Sequence, residues 1–243
     1  VRPRRTRRTR RAGTVLTAAL LTGPAALTGC APPATGTGAH PGAYAGAKPP
    51  RAGDLPPVVD HVRTRDRVVF LTYDDGAERD PALVGLVRAR RLPVTLFLTD
   101  TVVGPAYGRL ARLRSVGASL QNHTLDHAAL RGLPYAGQRA EICGQQRKLT
   151  SRFGVRPRLF RPPHGTYDTT TLRAAADCGI TAVVLWRVSV DPAGTLAYAR
   201  GEPRLHPGDI ITLADPPLAP RTKALLTRLT RQGFRVASLD DYL

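Results

Sequence analysis

Acidic residues are scarce in this chain: 18 stand against 36 lysines and arginines in 243 residues, and none falls within the first 29 positions. The resulting formal net charge of +18 favours polyanionic surroundings. Cysteine is scarcer still, with three residues at positions 30, 143 and 178. Neither Cys143 nor Cys178 lies in a CxxC or Cys/His pattern, which argues against a structural thiolate metal site. A long apolar run is also missing. The run at 14–27 falls short of the roughly 20 residues that a membrane-spanning helix needs. No internal repeat is visible, so nothing supports a repeat architecture.

What stands at the start is "VRPRRTRRTRRAGTVLTAALLTGPAALTGC", seven arginines followed by that apolar run and then by small residues. This is the charged n-region and h-region of a secretory signal. Leu27-Thr28-Gly29-Cys30 resembles the bacterial lipobox, after which Cys30 would be lipidated and become the first residue. A plain signal peptide that happens to contain a cysteine is the alternative. The initial valine fits a GTG start codon, and the Arg/Ala/Gly/Pro bias fits a high-GC bacterium. The expected organisation is a signal at 1–29, a lipidated cysteine and flexible Pro/Gly/Ala tether at 30–60, and one folded domain at 61–243. The expected location is the extracellular face of the bacterial cytoplasmic membrane, reached through a lipid anchor that spans nothing, or secretion. Either location argues against a nucleic-acid partner. Loss of the leader's seven arginines leaves 29 basic residues against 18 acidic ones, a net +11 that suits an anionic wall or anionic headgroups. Outside the membrane, Cys143 and Cys178 are expected to pair as a disulfide. The pattern carries no signal for an oligomeric state.

Beyond the tether, strand-like runs alternate with amphipathic, arginine-rich helical ones. Strands are expected at 68–72, 94–98, 118–121, 158–160, 181–186, 209–213 and 234–237. Helices are expected near 81–91, 106–116, 137–152, 169–178 and 221–232. Seven strands in βα alternation imply a parallel α/β barrel or an open doubly wound sheet. In both, functional residues gather at the carboxyl ends of the strands.

Three stretches meet that requirement. In "VVFLTYDDGAE" the first strand runs into Asp74 and Asp75, either a solvated turn or a cation ligand beside an acid–base group. In "QNHTLDH" His123 and His127 follow the third strand, spaced four apart so that two imidazoles can grip one ion. Two imidazoles and one carboxylate leave open positions on a cation for water and a substrate oxygen, as hydrolytic sites need. In "LFRPPHG" Arg161 ends a strand, where its guanidinium can orient a carboxylate, and Pro162-Pro163 stiffens the turn.

"TYDDG", "HTLDH" and "RPPHG" resemble, in order and spacing, the first three motifs of the polysaccharide deacetylases with a NodB homology domain, carbohydrate esterase family 4. The resemblance extends from about Val62 to Leu243. It implies an α/β fold, a deformed parallel (β/α) barrel of about seven strands, with a divalent cation such as zinc or cobalt. The implied activity is hydrolysis of acetyl groups on amino sugars or xylan. Carried over by position, Asp75, His123 and His127 would be the metal ligands and Asp74 the general base toward the attacking water. Arg161 would orient Asp74, and Thr124 would brace the histidine loop. The cation and the arginine would then offset the repulsion between the two carboxylates. A main-chain N–H after the diproline would serve the oxyanion.

The later motifs depart from the family. His164 replaces the aromatic residue, usually tyrosine, that follows the third-motif proline. Trp186 aligns with the tryptophan of the acetyl pocket, a core role being the alternative, but Arg187 follows it and Asp191 is the only nearby acid. Ala214 stands where the family places the histidine that protonates the leaving amine, with Asp215 next to it. Asp215 and His164 are the conceivable substitutes, an exposed loop histidine being the plainer account of His164. Three functions therefore stay open: a deacetylase of reduced activity, a metal-retaining glycan-binding relative without turnover, and an acyl or amide hydrolase on a non-sugar substrate.

Overall fold

The computed structural model of the protein describes residues 54–243. The signal segment 1–29, Cys30 and the tether as far as residue 53 lie outside the described residues. The described part holds β1 (Val58–Val59), β2 (Val68–Tyr73), α1 (Pro81–Arg90), β3 (Val94–Leu98), α2 (Asp100–Val103), α3 (Tyr107–Ser115) and β4 (Ser119–Asn122). There follow α4 (Tyr135–Phe153), β5 (Leu159–Phe160), α5 (Thr169–Asp177), β6 (Ala182–Val184), β7 (Val188–Val190), β8 (Leu196–Tyr198), β9 (Ile210–Leu213), α6 (Leu218–Arg231) and β10 (Arg235–Val236).

The strands form one sheet in the order β1-β6-β5-β4-β3-β2-β9-β7-β8, with β10 added to β2. All pairings are parallel except the β7–β8 hairpin. This is the expected mixed α/β architecture, a curled and parallel-dominated half-barrel. Ten strands form instead of about seven, because Val58–Val59 adds an edge and residues 188–198 fold back as a hairpin. The folded domain thus takes in residues ahead of the expected boundary at 61, since β1 pairs with β6 before residue 60. The strand expected at 181–186 stops at Val184, which leaves Trp186 in the turn before β7.

Two-residue alternation sends β2 into two cores. Val69, Leu71 and Tyr73 face the helices, packed with Leu83 and Val87 of α1 and Leu110 and Leu113 of α3. Val68 and Phe70 face the hollow of the curl with Phe97, Leu159, Val184 and Ile210. The carboxyl-terminal residues plug that hollow, with the Tyr242 ring edge-on to Phe70 at 5.1 Å. Gly208 permits the close approach that ties the segment after β1 to the start of β9. A Cβ there would sit 1.8 Å from the Val62 carbonyl oxygen, and its φ of +86° suits only glycine well.

Local signals set the helix starts. Asp80 caps α1 by accepting from Ala82 N–H, with Pro81 at the first helical position. Asp168 and Thr171 form a capping box at the start of α5. Cys143 of α4 and Cys178 at the end of α5 form the expected disulfide across a small separate core. Their Cα atoms are 5.0 Å apart and 35 positions separate them in the chain.

Closing a loop of that length limits the unfolded chain and contributes about 4 kcal/mol on the chain-entropy account. Replacing Cys143 and Cys178 together by alanine is expected to lower unfolding stability by about 2–4 kcal/mol in a urea titration.

Candidate metal centre and cleft

β5, β4, β3, β2 and β9 are consecutive neighbours, so their carboxyl ends present Arg161, His123, Thr99, Asp74 and Ala214 to one place. A cleft of about 670 Å³ opens there. Asp74, Asp75, His123, His127, His164 and Trp186 line it, together with Val102, Ala214 and Asp215.

Asp75, His123 and His127 each offer a ligand atom, and these atoms lie within 4.8 Å of one another. The His123 Nδ1 is 2.7 Å from the Arg161 carbonyl oxygen. A carbonyl only accepts, so Nδ1 carries the proton and Nε2 keeps its lone pair. Burial pulls the His123 imidazole down to about 4, which leaves it neutral near pH 7. Its Nε2 lies 3.2 Å from the His127 Nε2. Burial also lowers the His127 ring, and the neighbouring His164 adds to that. Burial pushes the Asp75 carboxyl up to about 7, with Glu78 and Asp74 adding to the shift against the Thr99 hydrogen bonds. Two neutral imidazoles and one carboxylate that is costly to ionise without a countercharge form a donor set suited to a divalent cation.

Asp74 is held from below. Arg161 is fully buried, and its Nη1 donates to Asp74 Oδ1 at 2.5 Å. Three more of its five N–H groups are bonded, Nη1 to Thr212 Oγ1 and Nε and Nη2 to the Val184 and Leu185 carbonyls. Phe97 stacks 4.2 Å from the guanidinium carbon and Trp186 lies at 5.4 Å. Burial draws the Arg161 pKa down while Asp74 opposes the change. The two adjacent carboxylates thus have separate partners: Asp75 turns toward the imidazoles, Asp74 toward the arginine. The alternative of a solvated turn does not hold.

The histidine loop is strained. Thr124 and His127 both have positive φ, at 75° and 57°, which a β-branched residue such as Thr124 rarely adopts. The expected bracing by the Thr124 side chain is not what the structure contains, because its buried hydroxyl has no partner. The bracing comes from elsewhere. Asn122 Oδ1 accepts from Thr124 N–H, and Asn122 Nδ2 donates to the Ile142 carbonyl and Gln146 of α4. Glu141 of α4 accepts from the N–H groups of Leu125 and Asp126. Thr99 completes the frame, its N–H donating to Asp75 Oδ1 and its hydroxyl to the His123 carbonyl. Asn122, Thr99 and Glu141 were missed from the sequence. The first two stand at strand ends, which is a usable signal, whereas nothing local distinguishes Glu141 on its helix.

His164 is exposed at φ 59°, yet its ring lies edge-on to His127 with centroids 5.0 Å apart. Trp186 is half-buried, packing on the inner core while its ring walls the cleft. Gly165 lies beneath the indole, where a Cβ would stand 3.2 Å from the ring. Asp191 does not join the site. It closes the β7–β8 turn, its carboxylate accepting from Thr195 N–H. Asp215 borders the cleft in a left-handed conformation, its carbonyl and that of Ala214 bonded to Arg221.

Replacing Arg161 by alanine leaves Asp74 without its partner and a cavity beside Phe97, and should cost about 3–5 kcal/mol of folding stability by chemical denaturation.

Residues 61–183 match the polysaccharide deacetylase family model. The chain is 68% identical to an uncharacterized protein of Streptomyces coelicolor, over 89% of this chain and 90% of that one. It is 24% identical to the peptidoglycan-N-acetylmuramic acid deacetylase PdaA of Bacillus subtilis, over 74% of this chain and 73% of that one. Among solved structures, a family 4 carbohydrate esterase pseudoenzyme of Bacillus anthracis superposes with a TM-score of 0.67 at 18% identity, over 76% of this chain and 68% of the other. With the family model spanning half of the sequence and falling on the strand ends that carry the cleft, this chain belongs to the polysaccharide deacetylase family, the carbohydrate esterases of family 4 with a NodB homology domain.

Proposed function

We propose that the protein is a metal-dependent hydrolase that removes acetyl groups from carbohydrate, acting on N-acetylated amino sugars of the peptidoglycan or chitin type. The observation that carries this reading is the convergence of Asp75, His123 and His127 beside an Asp74 held by buried Arg161. The name of the Bacillus subtilis relative supports a peptidoglycan substrate. A signal ending at Cys30 supports placement on the outer face of the cytoplasmic membrane.

Asp75, His123 and His127 would hold a divalent cation, zinc or cobalt, which when bound supplies Lewis acidity toward the acetyl carbonyl and the attacking water. Arg161 holds Asp74 at the floor of the cleft, where its carboxylate accepts the proton of that water. The first N–H after the diproline belongs to His164, since those of Gly165 and Thr166 bond to the Pro162 and Pro163 carbonyls. That group is the candidate donor to the developing oxyanion. Trp186 and Val102 supply apolar walls suited to a methyl group and a sugar face. No side chain at 214 can protonate the leaving amine. Turnover should therefore be slower, by about 10²–10⁴ where nothing substitutes.

Ala214 favours one further reading, a glycan-binding relative that keeps the metal without turnover. Introducing Ala214→His separates the two. A modest gain in acetate release marks a working deacetylase, and a gain from zero marks the binding protein.

The direct test is metal analysis combined with acetate release from peptidoglycan, chitooligosaccharides and acetylxylan. Asp75→Ala should lose the metal. Asp74→Asn should retain it while acetate release falls by about 10²–10⁴. Zinc-loaded protein that releases acetate from none of the three substrates would sink the deacetylase reading.

A further inference from the structure

The domain is polar in charge from one end of its strands to the other. In a βα unit the helix returns the chain, so helices end where parallel strands begin. α1, α3 and α6 contain no acidic residue. Their carboxyl-terminal halves and caps carry Arg88, Arg90 and Arg91, then Arg112 and Arg114, then Arg228 and Arg231. All seven are exposed, and none forms an ion pair among the described residues. α1 packs between α3 and α6, so the three helix ends make one surface. Arg90, Lys223 and Arg231 border the shallow groove between α1 and α6. At the opposite end the mouth of the cleft holds Asp74, Asp75 and exposed Asp215 with one arginine, Arg79, so carboxylates predominate there.

A cation near a helix carboxyl terminus is favourable in itself, which accounts for one such residue per helix. It does not account for two or three on each of three adjacent helices with no carboxylate among them. β1 adds an independent observation. It pairs parallel with β6, so the residues before Val58 join the domain at this same basic end.

The geometry points to a docking surface for an anionic lipid bilayer, formed by the ends of α1, α3 and α6, that holds the cleft facing away from the membrane. The charge is spread over three helix ends and not gathered in one deep groove, which suits a plane of headgroups better than a single polymer strand. Arginine near such a plane gains from the negative surface potential without inserting. This surface does not depend on the reaction in the cleft.

The test is co-sedimentation of the full chain with vesicles of phosphatidylcholine alone or containing about one-third phosphatidylglycerol, at about 0.1 M salt. One variant carries R88Q, R90Q, R228Q and R231Q. A control of equal charge carries R131Q, R139Q, R147Q and R173Q, exposed positions on or beside α4 and α5. Both keep residues 1–53, so any binding by that segment cancels. Each arginine removed from the surface should weaken binding to the anionic vesicles roughly fivefold, several hundredfold for the four. The control should lose less than about fivefold in total. Unchanged acetate release and melting temperature would confirm that the cleft and fold are intact. Equal losses in both variants would overturn the proposal, as would equal binding of the parent chain to both vesicle types. Tight binding to soluble long-chain polyphosphate with none to anionic vesicles would overturn it in favour of a polymer. Should the four-site variant fail to fold, the pair R90Q and R231Q replaces it, with an expected loss of about 25-fold against less than about threefold for R139Q with R173Q.

Discussion

A guanidinium without solvent contact lies under the cleft, and the placement of the reactive groups follows from it. Arg161 bonds at once to Asp74, to Thr212 on β9 and to two carbonyls of the chain leaving β6. Its own carbonyl holds the Nδ1 of His123. One residue thus orients Asp74 by its side chain and His123 by its main chain. A buried cation is stable only if its hydrogen bonds are met and a countercharge is near. Asp74 supplies that countercharge, so stability and chemistry make the same demand on one pair.

The neighbouring carboxylates answer different needs because β2 ends between them. Asp74 reaches back over the sheet toward β5, while Asp75 faces β3 and β4, where Thr99 and the imidazoles wait. The histidine loop spends backbone strain at Thr124 and His127 to bring both rings to one point. Asn122 and Glu141 offset that strain by anchoring the loop to α4. α4 is in turn linked by the disulfide to α5, which follows the loop that carries His164. The support therefore passes through two helices that contribute no ligand.

The same topology separates charge. Helices that return the chain carry their arginines to the end where strands start, and loops that leave the strands carry aspartates to the other. A cation site among carboxylates and a cationic base thus arise from one arrangement of βα units. At the mouth, Ala214 occupies the β9 end without any proton to give, and Asp215 and His164 border the gap.

Much was legible in the sequence for a definite reason. Every strand expected beyond residue 61 exists, since buried parallel strands are short runs of Val, Ile, Leu and Phe. Asp74, Asp75, His123, His127 and Arg161 could be singled out because strand ends are where such folds place chemistry, and because "DD", "HTLDH" and "RPPHG" stand at three of them. The β7–β8 hairpin was not legible: its strands are three residues long and pair with each other only because β9 receives one of them. Asp191 looked like a site residue by proximity to Trp186 in sequence, but the hairpin turns it outward to close a turn. Asn122, Thr99 and Glu141 were also beyond reach, because a hydrogen bond that spans 15 to 24 positions leaves no local pattern. Residue types and spacing on their own determined which atoms could hold a cation and which could accept a proton. Only the folded chain shows why adjacent carboxylates part, Asp74 to Arg161 and Asp75 toward the imidazoles, since that depends on the direction each side chain takes once the sheet curls and Arg161 is sealed beneath it.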